Sequence, residues 1–204
     1  MASIGKITGV NGNLIRVAFV GAVAQNEVAY AKLPSGIKLK SEVIRIRGDY
    51  AELQVFEDTT GLKAGDDVEF TGELLSVELG PGLLGQVFDG LQNPLPRLAE
   101  ECGFFLQRGK YLNALERDQK WAFTPVAKVG DKLTAGETLG TVPEGIFKHR
   151  IMVPFKVRKT VTVEKIMPAG DYTVEDVIAI LKDADGNTVE AKIMQIWPVK
   201  IPIK

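Results

Sequence analysis

One histidine, His149, and one cysteine, Cys102, are the only imidazole and thiol in a chain of 204 residues. A zinc site takes three or four such ligands, so no zinc set can be built, and the carboxylates show no calcium-loop spacing. His149 sits in "FKHRIMV" between cations, where a solvated or hydrogen-bonding role is expected. Cys102 follows Glu100 and Glu101, a poor setting for a reactive thiolate, and a single cysteine makes no intrachain disulfide. The acid pairs Asp66-Asp67 and Glu175-Asp176 read as turn or solvated-face carboxylates rather than a general acid and base. No G-x-x-x-x-G-K-[ST] run is present, and "GPGLLG" (80–85) is followed by no lysine, so it is a weak phosphate cradle. The expectation is that this segment holds no catalytic, cofactor-binding or metal-binding residue, and no cofactor.

One charge pattern could still bind something. Lys148 to Lys165 carries six Lys or Arg and one acid, Glu164; Asp171 to Glu190 carries six acids and one base, Lys182. The first reading is a basic face that docks an acidic partner. The second, which is preferred, is a pair of neighbouring hairpins whose surfaces compensate each other, each exposed pair contributing about 0–1 kcal/mol.

The elements that would position these residues are mostly strands. Hydrophobic residues make up 45% and charged residues 25% of the chain, an ordinary globular mix. The 21 glycines fall singly between short apolar runs, as turns joining many strands do. Within 1–75, six runs from "IGKITGV" to "DDVEFTGE" are rich in β-branched residues and separated by Gly, Asn and Asp. In "AELQVFE", Leu53 and Val55 alternate with Glu52 and Gln54, the period of a half-buried strand. Six short strands in that length predict a small closed barrel, which leaves no edge exposed. In 76–110, Pro81 suits a first helical turn, and Leu83, Leu84, Val87, Phe88 and Leu91 make one apolar stripe. The spacing predicts a helix there, and Leu95 to Glu101 could add a second. From 111 to 196 strands return, with turns at Val129-Gly130-Asp131, Ala135-Gly136 and Asp185-Gly186-Asn187. The stretch around Glu175 is read both as helix and as the strand "VEDVIAIL". The predicted class is mainly β: a six-stranded N-terminal β-barrel, a short helical connector and a second β-rich domain.

Four stretches, in order, resemble the catalytic A-subunit family of V/A-type rotary ATPases. "IGKITGVNGNLIRVAF" is similar to that family's first barrel hairpin, and "SVELGPGLLGQVFDGLQNPL" to the stretch leading from its barrel toward the nucleotide domain. "HRIMVPFKVRKTVTVEKIMPAGDYTVEDVIAIL" resembles the core of the insertion, or bulge, that marks this subunit, and "MQIWPVK" the segment that re-enters the nucleotide domain. Two departures are local: Gly12-Asn13 stands where the family usually has Gly-Pro, and Arg158-Lys159 where it usually has Arg-Gly.

The resemblance implies a barrel over 1–75, a connector over 76–110 packing on a nucleotide domain, a bulge over 111–196, and a linker start at 197–204. It implies a parent that couples ATP synthesis or hydrolysis to H⁺ or Na⁺ transport, with the phosphate-binding loop and the ATP and Mg sites beyond "WPV". The segment itself would be structural. Its implied partners are alternating B subunits through the barrel and peripheral-stalk subunits through the bulge, with no nucleic acid and no direct membrane insertion. The implied location is cytoplasmic, peripheral to the membrane in the soluble head. The opening "MASIGKITGVNGNLIRV" has no apolar run of signal-peptide length, and no stretch approaches about 20 apolar residues.

Two other classes compete. "VAKVGDKLTAGETLGTV" and the bulge motif also resemble halves of a biotinyl/lipoyl-type sandwich. A carrier lysine needs a hairpin tip flanked by Asp or Met. Lys156 lies between Phe155 and Val157, and Lys159 between Arg158 and Thr160, so shared architecture is the preferred reading. A barrel for single-stranded nucleic acid needs a basic groove with aromatics. Phe19, Tyr30, Tyr50, Phe56 and Phe70 are present, but the nearby Lys and Arg are balanced by acids.

Overall fold

The computed structural model describes residues 3–103 and 105–203. They fall into two compact units, Met1–Leu75 with Arg97–Tyr111, and Ser76–Pro96 with Leu112–Lys204. The segment 76–110, expected as a connector, is thus shared between the two.

In the first unit, β1 (Ile4–Asn11), β2 (Leu14–Val20), β3 (Glu27–Lys32), β4 (Lys38–Arg47), β5 (Tyr50–Val55) and β6 (Asp67–Leu74) close a barrel in the order β1-β2-β5-β4-β3-β6. All six pairings are antiparallel. The strands send Ile7, Val17, Leu39, Val43, Leu53 and Phe70 into a buried apolar interior. Asn11 pairs with Leu14 across Gly12-Asn13, and Gly12 holds φ +59°, a conformation glycine adopts at no steric cost.

The second unit packs two four-stranded sheets. One has β8 (Trp121–Pro125), β10 (Thr138–Glu144), β11 (Phe147–Met152) and β13 (Gly170–Tyr172) in the order β11-β10-β8-β13. The other has β9 (Lys132–Leu133), β12 (Val161–Ile166), β14 (Val177–Asp183) and β15 (Thr188–Lys192) in the order β15-β14-β12-β9. A two-stranded ribbon joins β7 (Ser76–Leu79) to β16 (Gln195–Pro198), residues far apart in the chain. The core includes Phe123, Leu139, Ile151, Val163, Ile178 and Leu181. Around Glu175 the strand reading holds: Asp176 closes a turn on the Thr173 N–H at 2.7 Å, and β14 follows.

The predicted helix over the Leu83–Leu91 stripe does not form. Residues 80–94 are consecutive turns with a single bridge between Phe88 and Pro94. Gly82, Gly85 and Gln92 take φ values of +104°, +77° and +63°, which no α-helix contains. Three glycines in eleven residues weaken a helix by about 1 kcal/mol each, and side chains offer the backbone other partners. Asp89 accepts the N–H groups of Leu91 and Asn93, and the Gln92 amide takes both the N–H and the carbonyl of Glu78 on β7. The second short helix does form, as α1 (Leu95–Cys102). Pro96 sits in its first turn, and Gly103 at φ +70° ends it with an N–H bond to the Ala99 carbonyl.

Candidate functional site

The polar side chains that do most in this molecule hold loops in place. Glu144, at the end of β10 and 8% exposed, accepts the Gly82 and Leu84 N–H groups and meets His149 Nδ1 at 2.6 Å. The carboxylate replaces backbone partners that the turn at 80–84 lacks, and the histidine on β11 holds its other oxygen in place. Leu83 is thereby set against the core of the unit. Glu78 accepts the Leu115 N–H at 3.0 Å and the Arg117 guanidinium, which also reaches Glu175 at 3.0 Å. In the barrel, Glu27 is 2% exposed and accepts the N–H groups of Ala24 and Gly72.

A second barrel cluster ties in the segment after α1. The Tyr111 hydroxyl donates to Glu57 and accepts the Lys40 N–H at 2.6 Å. Burial, and then the bond to Glu57, push this phenol far above the ordinary tyrosine range. Arg108 donates to the carbonyls of Asp58 and Thr60, and Lys110 pairs with Glu101 at 2.5 Å. On the outer surface, hydrogen bonds from Lys32 and then Lys38 hold the Glu69 carboxyl below its usual range.

The residues singled out from the sequence are not brought together. His149 has the hydrogen-bonding role expected of it. Cys102 is a half-buried free thiol on α1. Asp66 accepts the Lys63 N–H at 2.9 Å and Asp67 pairs with Lys6 at 2.7 Å. No group of three or more His, Cys, Asp or Glu able to hold a metal occurs among the described residues. Of the barrel aromatics, Phe70 is buried with Phe19 edge-on to it at 5.8 Å, and Arg16 covers Tyr50 at 5.0 Å. Lys159 is tied to Asp185, and Lys156 lies in the turn after β11, next to buried Val157.

Charge compensation between the basic and acidic runs goes only part of the way. Lys159–Asp185 and Glu164–Lys182, at 3.8 Å, link them. Lys148, Arg150, Lys156, Arg158 and Lys165 make no ion pair among the described residues. Sequence reading missed Glu144, Glu27 and Gln92, because nothing local marks a carboxylate or amide whose partners lie on another element. A cavity of about 680 Å³ runs along β15. Another of about 260 Å³ adjoins it and shares Pro154, Lys192 and Gln195.

This succession, a closed six-stranded barrel and then a sandwich, has a counterpart among known families. Residues 7–72 match the ATP synthase alpha/beta family beta-barrel domain, and residues 112–200 the ATP synthase alpha/beta subunit barrel-sandwich domain. The chain belongs to the ATP synthase alpha/beta family. Within it, the chain is 62% identical over 196 residues to the V-type ATP synthase alpha chain of Treponema denticola, covering 96% of this chain and 33% of that protein. It is 55% identical over 199 residues to V-type ATP synthase alpha chain 1 of Treponema pallidum (98% and 34%), and 53% over 203 residues to the Borrelia recurrentis alpha chain (100% and 35%). The chain spans about a third of the length of these curated relatives. The carrier alternative finds no support here, since these relatives are ATP synthase alpha chains.

Proposed function

We propose that this segment is the N-terminal assembly region of the catalytic subunit of a V-type ATP synthase or ATPase, itself structural and non-catalytic. The observation that carries this is identity of 53–62% running through both domains to relatives named V-type ATP synthase alpha chain. On this reading the parent couples ATP synthesis or hydrolysis to H⁺ or Na⁺ transport across a membrane. Nucleotide and Mg²⁺ chemistry then belongs to a further domain, while this segment supplies contacts.

The barrel would join alternating B subunits in the head of a rotary complex, and the sandwich unit would meet peripheral-stalk subunits. A closed barrel suits the first role, because it presents a rigid wall with no strand edge to mispair. The assembly would be peripheral to the membrane. Among the described residues no helix is long and apolar enough to cross one.

Reading the gene past the Lys204 codon tests this. The expected result is an open frame that reaches a G-x-x-x-x-G-K-[ST] loop. A frame continuing into an unrelated domain would overturn the assignment.

A further inference from the structure

We propose that the open edge of β15, with the two cavities beside it, is a docking groove for one extended, acidic protein segment. The segment would add a strand to the β15-β14-β12-β9 sheet. This goes beyond the family reading and does not depend on it.

The backbone makes the first part of the case. β15 is the terminal strand of its sheet, paired only with β14. Asp183 donates its N–H to the Asn187 carbonyl at 3.0 Å, and bonded pairs alternate with unbonded ones along an antiparallel ladder. Thr188 and Glu190, opposite Lys182 and Ile180, therefore turn their N–H and C=O groups away from β14. Thr188, Glu190 and Lys192 line the 680 Å³ cavity together with Pro154, Lys156 and Ile196. An unpaired edge inside a groove of this size is the geometry of strand addition, where main-chain bonds supply affinity and pockets supply selectivity.

Side chains select the occupant. Arg117 is already taken by Glu78 and Glu175. Lys156 and Lys192 in this groove, and Arg150 in the adjoining cavity, have no carboxylate partner among the described residues. Only Glu190 opposes them there without an ion pair of its own. The adjoining 260 Å³ cavity is walled by Leu79, Leu83, Ile151, Phe155 and Ile193, and Lys192 stands at the join. The matching segment carries one large apolar residue for that cavity, with Asp or Glu on either side. A second copy of this chain fits less well. Its own unpaired Lys156 and Lys192 would be brought against the same cations.

The test selects random peptides of about twelve residues, displayed on phage, against the full chain. Enriched sequences should share a large apolar residue flanked by acids, and a synthetic copy of the commonest one serves as the probe. Glu190→Pro removes an outward N–H and leaves the β14 ladder intact, so it should weaken probe binding at least about tenfold, some 1.4 kcal/mol. Lys192→Glu should weaken the acidic probe and regain binding when the probe's acids are replaced by lysine. Circular dichroism checks each variant; if Glu190→Pro does not fold, the Lys192 charge swap decides alone. Three results would overturn the proposal: no enriched acidic sequence, equal probe affinity in the variants, or sedimentation showing dimers that Glu190→Pro abolishes.

Discussion

Two side chains show how single groups hold this molecule. Tyr111 reaches both Glu57 and the Lys40 N–H, and is raised above its ordinary value by burial first and the Glu57 bond second. A phenol that holds its proton more tightly in the folded state stabilises fully below the unfolded value of about 10. That stability is lost as pH rises above about 10. Tyr111→Phe should therefore cost about 1–2 kcal/mol at pH 7 and flatten the decline between about pH 10 and 11. Urea midpoints measured across pH for both proteins check this; parallel curves would remove Tyr111 as the cause. Glu144 works differently, because its replacement by alanine leaves the Gly82 and Leu84 N–H groups without their acceptor. A loss of about 1–3 kcal/mol is expected. Hydrogen exchange should speed up at Gly82 and Leu84 before it changes in the sheets.

At the level of elements, packing at short range decides what is tolerated. Gly140 on β10 lies against the ring of buried Phe123, and a Cβ there would stand 2.2 Å from the ring edge and 2.7 Å from the Thr124 carbonyl. Neither the core ring nor the backbone can yield, so Gly140→Ala should destabilise by about 1–3 kcal/mol or more. Thermal unfolding of the variant reads this directly. The segment after α1 offers the contrasting case. Arg108 and Lys110 are engaged with the barrel unit, whereas Phe105 and Leu106 are 86% and 71% exposed. Chymotrypsin should cut first after Phe105 or Leu106, faster than trypsin after Arg108 or Lys110, because exposed backbone with few contacts opens at low free-energy cost. Early cuts inside β4 or β5 would instead mark the barrel as the weaker unit.

For the whole molecule, the central expectation is that it contacts other chains and does not turn over nucleotide. The sequence carries no G-x-x-x-x-G-K-[ST] run, so the expectation is that ATP·Mg binds more weakly than millimolar, less than about 4 kcal/mol in magnitude. Isothermal titration checks it, and micromolar binding would contradict the structural role proposed for this segment. The apolar stripe at 83–91 has a smaller place at this scale than a helix would have given it. Leu83 packs against the core of its own unit, and only Leu84 and Val87 of the five stand well exposed, at 56% and 61%.

The barrel and the sandwich were legible in the sequence because both rest on alternation and on turn residues, which are local. Leu53 and Val55 face inward for the same reason that Glu52 and Gln54 do not, and Gly12 turns the first hairpin whatever surrounds it. The family was legible for a related reason, since its motifs are contiguous stretches of chain. The conformation of 80–94 was not, because spacing alone suits a helix there. The outcome was decided by Glu144 on β10, by Glu78 on β7 and by glycines free to take positive φ. The pairing of β7 with β16 and the open edge of β15 likewise depend on which distant strands meet. The sequence by itself determined the strands and the turns that join them. Only the tertiary structure decided which carboxylates were buried and which cations were left unpaired, because a charge is neutralised by whatever the fold places beside it.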